Sequence, residues 1–197
     1  MVPYIPLELA EAVIDHLSDS HPDLRACSLV CRHWLPRSRV HLFREIHFGK
    51  KEDLYSLTRL LKAEPTLPPL ILSVTQSFSE SEHNHVVPLL LLTGLPNLTA
   101  WRFIGPAASK LLDFKFNARS LSGFRKYATN IQELHISNIC FGSCAELGRL
   151  ILSFVGLRVL HCAALRLEKR GTLDVVKERI SRSSSLYSLS VCAFELH

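Results

Sequence analysis

Apolar residues in the first part of the chain fall in a helical rhythm. In "IPLELAEAVIDHL" (residues 5–17), Leu9, Ala10, Val13, Ile14 and Leu17 form one broad stripe, with Glu8, Glu11 and Asp15 opposite. Pro6 suits the start of that helix, where its fixed φ fits and its missing N–H is not needed. "SDSHPDL" (residues 18–24) breaks the pattern, and Pro22 with Asp23 restarts it. In "LRACSLVCRHW" (residues 24–34), Leu24, Cys27, Cys31 and Trp34 form a second stripe, widened by Ala26, Leu29 and Val30. Only a narrow strip at Arg25, Ser28 and Arg32 stays polar. "PRSRVHLF" (residues 36–43) predicts a third short helix with Val40 and Phe43 inward. A module of about 40 residues cannot enclose this much apolar surface alone, so the surplus must meet the rest of the chain or another protein.

Further on the pattern changes to apolar–x–x–apolar–x–apolar triplets. They are Phe43/Ile46/Phe48, Leu67/Leu70/Leu72, Leu98/Trp101/Phe103, Ile131/Leu134/Ile136, Leu157/Leu160/Cys162 and Leu186/Leu189/Val191, with starts 24, 31, 33, 26 and 29 residues apart. In so apolar a chain such triplets also arise by chance; the setting marks these out. Several follow turn residues (Pro96-Asn97, Thr129-Asn130, Gly156, Ser184-Ser185). Helix-like stretches lie between them, at residues 52–64, 120–128, 144–155 and 173–181. The reading is a strand–turn–helix unit repeated about every 29 residues, stacked because one unit cannot bury its own face. Side chains between the last two members of each triplet then point to the sheet's open face, giving a column of His47, Ile71, Arg102, His135, His161 and Ser190.

Composition narrows the classes. With 197 residues, 47% of them hydrophobic and 21% charged, the chain has the makings of a folded core and not of a disordered segment. Its longest apolar run, "VVPLLLLTGL" (residues 86–95), is too short to span a bilayer and reads as buried helix or strand. The opening "MVPYIPLEL" has no basic start or signal-peptide core, so secretion is not expected. Six cysteines sit mostly in apolar stretches without a CxxC pair and read as core thiols in a reducing compartment. His33 lies near Cys31, but no second ligand pair has zinc spacing, so no metal or other cofactor is expected. The net charge of +5 is scattered, and no aromatics interleave with the basic groups to stack bases, so neither nucleic acid nor a membrane is an expected partner. No phosphate loop, nucleophile elbow or paired-histidine zinc helix occurs. Cys144, activated by His135 or His161, is the one arrangement that would make the chain a hydrolase, and it suits core packing equally well. A non-enzymatic protein is expected.

The first 46 residues carry a resemblance. "IPLEL" stands where F-box proteins have leucine/isoleucine–proline–x–glutamate–leucine, "VIDHL" where they have an aliphatic pair and closing leucine. "DLRACSLVCRHW" stands at their aspartate–leucine, valine–serine/cysteine–arginine and tryptophan run. "HLFREI" follows where that family leaves its third helix. The stretch therefore resembles an F-box. The resemblance implies docking on the adaptor subunit of an SCF-type cullin–RING ubiquitin ligase, and through it on the cullin, with a cytoplasmic or nuclear location. By position the adaptor-contacting residues would be Ile5, Pro6, Leu9, Ile14, Leu17, Leu24, Val30 and Cys31, with Trp34 packed internally. The triplet region resembles irregular leucine-rich repeats. The position eight after each start is Lys51, Thr75, Pro106, Ile139, Leu165 or Phe194, never the asparagine or cysteine of the regular repeat, so no continuous asparagine ladder is expected.

The expectation is an α/β chain: a three-helix F-box over residues 1–46, then an irregular leucine-rich-repeat-like solenoid of parallel strands and helices over residues 47–197. Its expected function is substrate recognition, the repeat domain holding an unidentified protein target through His47, Arg102, His135 and His161. The alternatives are a generic α/β domain in place of the repeats, and a leucine-rich-repeat interaction protein with no ligase role, whose helices are only a cap.

Overall fold

A computed structural model describes residues 5–77, 91–106, 116, 118–168 and 188–196. The chain divides into two compact units, Met1–Ile46 and His47–His197.

The first unit is three helices. Helix α1 (Leu7–His16) starts directly after Pro6, with Glu8 in its first turn, a charge suited to the helix dipole. Helix α2 (His21–Val30) has Pro22 in its first turn, and the Ser20 hydroxyl donates to the Asp23 carboxylate at 2.6 Å. Helix α3 (Leu35–Arg44) likewise has Pro36 in its first turn. Ile14, Leu24 and Cys27 form the buried centre, with Leu17, Trp34 and Leu42 packed against it. Two details differ from the pattern reading. Helix α2 stops at Val30, where Cys31 turns to extended backbone (φ −163°, ψ 170°), so Cys31 leaves the buried stripe and is exposed. On α3 it is Leu42 that meets this core, while Val40 and Phe43 are half-buried. A polar strap ties α1 to α3: Arg37 donates twice to the Asp15 carboxylate, 2.6 Å each, and His41 Nε2 lies 2.8 Å from the same group. These hydrogen bonds hold the Asp15 carboxyl well below the usual carboxylate range.

The second unit is helices on a sheet. Strand β1 (Glu45–Phe48) leads across the boundary between the units into α4 (Lys51–Ala63), whose Asp53 accepts from the Gly49 and Lys50 amides. Strands β2 (Ser73–Ser77), β3 (Ala100–Ile104), β4 (Glu133–Ser137), β5 (Cys140–Phe141), β6 (Val159–Leu167) and β7 (Ser188–Leu196) follow. Helix α5 (Ala118–Tyr127) precedes β4, and α6 (Cys144–Ser153) lies between β5 and β6. At α6 the Ser143 hydroxyl accepts from the Glu146 amide and the Glu146 carboxylate from the Gly142 amide, a local reason for the helix to begin there. The order is β1-β2-β3-β4-β6. Strands β4 and β5 lie along one edge of β6 and β7 along the other, and every pairing from β2 onward is parallel.

Register carries the architecture. Val74, Trp101, Leu134, Leu160 and Leu189 form one row across the strands; Gln76, Phe103, Ile136, Cys162 and Val191 form the next. The triplets at Leu98, Ile131 and Leu157 thus supply their last two members to the same two rows. The second triplet does not: Leu67/Leu70/Leu72 precedes the strand, Pro68–Leu70 forms a 3-10 turn, and the row begins at Val74. Pro68 and Pro69 have no N–H to give a ladder, so pairing starts only beyond them. Phe124 of α5 packs edge-on against Trp101 and Phe103 and tilts onto Phe154 with centroids 4.8 Å apart. Full burial of side chains this size contributes about 1.5–3 kcal/mol each. Helix α4 lies over the stretch expected at residues 52–64; the stretch at residues 173–181 and Leu186 fall outside the described residues.

Candidate functional site

Two surfaces present chemistry, one in each unit. In the helical unit α1 borders an open groove of about 600 Å³ whose lining includes Ile5, Leu9, Val13, His16, Leu17 and Trp34. The exposure is large for apolar side chains: Ile5 54%, Leu9 60%, Val13 50%. At the far end of α2, Leu29 is 86% and Val30 61% exposed. Isolated apolar side chains on a surface need no explanation, but several on one small module make an apolar patch of the kind interaction sites use.

The residues expected to meet a partner here are distributed unevenly. Ile5 and Leu9 line the groove, and Leu17 both lines it and packs on the core. Pro6, Val30 and Cys31 are exposed. Ile14 and Leu24 have no exposed surface: they are the centre of the module's own core, and the expectation that they face outward is corrected. A stripe shows which face of a helix is buried, not what buries it. Val13 and Leu29 are additions. The signal for Leu29 lay in its spacing, since it stands four residues after Arg25 on the polar side of α2.

In the second unit the sheet's open face carries a polar column. Arg102 of β3, His135 of β4, His161 of β6 and Ser190 of β7 are direct register partners. The His135 and His161 rings stack, with centroids 4.5 Å apart and planes 26° from parallel. Glu133 Oε2 lies 3.9 Å from His135 Nε2. Burial, then the neighbouring His161 and Arg102 charges, push the His135 imidazole below its ordinary range, with Glu133 opposing them. Two members of the expected column stand elsewhere. Ile71 is fully buried ahead of β2, and Thr75 takes its place in register with Arg102. His47 makes its contact elsewhere: its Nε2 is 2.8 Å from the hydroxyl of Ser77, a residue in register with Ile104 and not with Arg102.

The remaining chemistry is quiet. Cys144 is buried at the start of α6, and burial pushes its thiol up, away from the thiolate a nucleophile requires. Among the described residues no group of three or more metal-ligating side chains comes together, and no helix is long and apolar enough to cross a membrane. No protein-family model matches the chain, and neither a curated protein nor a solved structure matches it.

Proposed function

We propose that the protein is a non-catalytic substrate-recognition subunit of an SCF-type ubiquitin ligase, acting in the cytoplasm or nucleus. The helical unit docks on the ligase adaptor, and through it on the cullin; the sheet unit holds a protein target. Its contribution to ubiquitin transfer is proximity, holding target lysines near the charged conjugating enzyme. One observation carries the reading: the helical unit, built round the small buried cluster of Ile14, Leu24 and Cys27, leaves Leu9, Leu29 and Val30 more than half exposed. Helix-bearing partners recognise such anchors by burying them in a dry interface.

The test is a pull-down of purified full-length chain on immobilised recombinant adaptor. Wild type binds at micromolar concentration or below, and Leu9→Asp and Leu29→Asp each weaken binding at least about tenfold, roughly 1.4 kcal/mol. Both sites are exposed, so circular dichroism of the variants should match wild type. Wild type failing to bind the adaptor at micromolar concentration overturns the ligase role and leaves a repeat-type interaction module whose helices are a cap.

A further inference from the structure

Register brings three nitrogen-rich side chains together from three separate parts of the chain. Arg102, His135 and His161 sit on consecutive strands of one sheet face, with the two imidazoles stacked. We propose that Arg102, His135 and His161 form a proton-linked binding site for a side-chain carboxylate of an acidic peptide segment. This rests on the sheet half of the preceding reading, that this face holds a protein target, and is independent of adaptor docking.

The charge balance selects the ligand. The charged and titratable groups that face His135 are Arg102 from β3, Glu133 on its own strand and His161 from β6. With both imidazoles neutral, Arg102 and Glu133 nearly cancel. A proton on one ring opposes a second on the other across 4.5 Å, so the stacked pair holds one proton at the site and not two. One added positive charge matches one carboxylate. A doubly charged phosphate would be left with an unmatched negative charge beside Glu133. Neighbouring strands are about 4.8 Å apart, so the column from Arg102 to His161 covers about 10 Å, the reach of about three extended residues. About three residues of the extended segment therefore cover the column, with one acidic side chain among them seated on it.

Protonation and binding favour each other here, because the bound carboxylate stabilises the imidazolium that burial and Arg102 disfavour. The experiment is fluorescence anisotropy of a labelled Glu/Gly dodecamer with the full chain at pH 7.5 and pH 6.0. Binding should tighten about tenfold on acidification, as linked uptake of about two-thirds of a proton over this interval requires; a full proton would give about thirtyfold. His135→Gln and His161→Gln should each remove the tightening, and Arg102→Gln should weaken binding at both pH values. Having two histidine variants keeps the test decisive if one folds poorly by circular dichroism. No binding at pH 6.0 with millimolar peptide overturns the proposal. So does binding by all three variants equal to wild type at both pH values, which the net charge of +5 alone would produce. A phosphoserine-for-glutamate peptide binding more than tenfold tighter at pH 7.5 overturns the carboxylate assignment. Failure here leaves adaptor capture by the helical unit intact, and loss of adaptor capture leaves this peptide binding intact, so the two outcomes separate.

Discussion

Cys31 and Cys162 carry the same thiol in opposite surroundings. Cys162 faces the core row of β6 between Ile136 and Val191, and burial pushes its thiol up to about 12. Cys31 sits on extended backbone just past the end of α2, exposed to solvent. Thiolate fraction and access both govern alkylation, so a maleimide at pH 7.5 should modify Cys31 in the native protein while Cys162 reacts only after unfolding. Peptide mapping after brief labelling checks this; modification of Cys162 as fast as Cys31 would contradict its burial. The same scale explains a polar residue in an apolar row. Gln76 occupies the place of Phe103, Ile136 and Cys162, and its buried Oε1 finds no partner among the described residues. Strand alternation placed it inward whatever its polarity.

At the scale of elements, each turn leans on the one before. The Asn97 side-chain amide donates to the Pro69 carbonyl at 2.8 Å, and Asn130 donates to the Pro96 carbonyl at 3.2 Å. The next turn has Gly156 in the corresponding place, where a Cβ would lie 2.2 Å from the Thr129 carbonyl oxygen. Backbone amides repeat the pattern, Ala100 to Leu72, Glu133 to Thr99 and Val159 to Gln132. Asparagine rungs thus exist at the turns, away from the position eight after each triplet start. Gly156→Ala forces a backbone shift and should cost about 1–3 kcal/mol, while Asn130→Ala removes one exposed hydrogen bond and should cost about 0.5–1.5 kcal/mol. Urea unfolding measures both, and an Asn130 variant costing more than the Gly156 variant would refute the close-approach argument. The rungs were illegible beforehand because hydrogen bonding to a residue 28 or 34 positions earlier leaves no local pattern. The helices were legible because punctuation surrounds them: Pro22 and Pro36 in first turns, Ser143 and Glu146 around the start of α6.

For the molecule as a whole, the two units differ in how they spend apolar residues. The sheet unit buries its rows from Val74 to Cys162 almost completely, whereas the helical unit leaves Ile5, Leu9, Val13, Leu29 and Val30 half exposed or more. Expressed alone, the full chain should therefore bind a hydrophobic dye such as ANS. Replacing Leu9 and Leu29 together by Glu should lower that signal without lowering the melting temperature, because neither belongs to the Ile14–Leu24–Cys27 cluster. A chain that binds no dye and stays monomeric at high concentration would contradict the surplus.

Period and punctuation determined, from the sequence alone, where α1, α3, α4, α5 and α6 form, which residues of β3, β4, β6 and β7 share a row, and that Arg102, His135 and His161 stand in line. These follow from local geometry, since alternation by two and recurrence by three or four are backbone properties. Only the tertiary structure decided that Ile14 and Leu24 close on each other, that β2 begins at Ser73 so that Val74 meets Trp101, and that two imidazoles stack 4.5 Å apart. Those depend on which surface arrives from elsewhere in the chain, and a linear pattern carries each residue's side but not its neighbour.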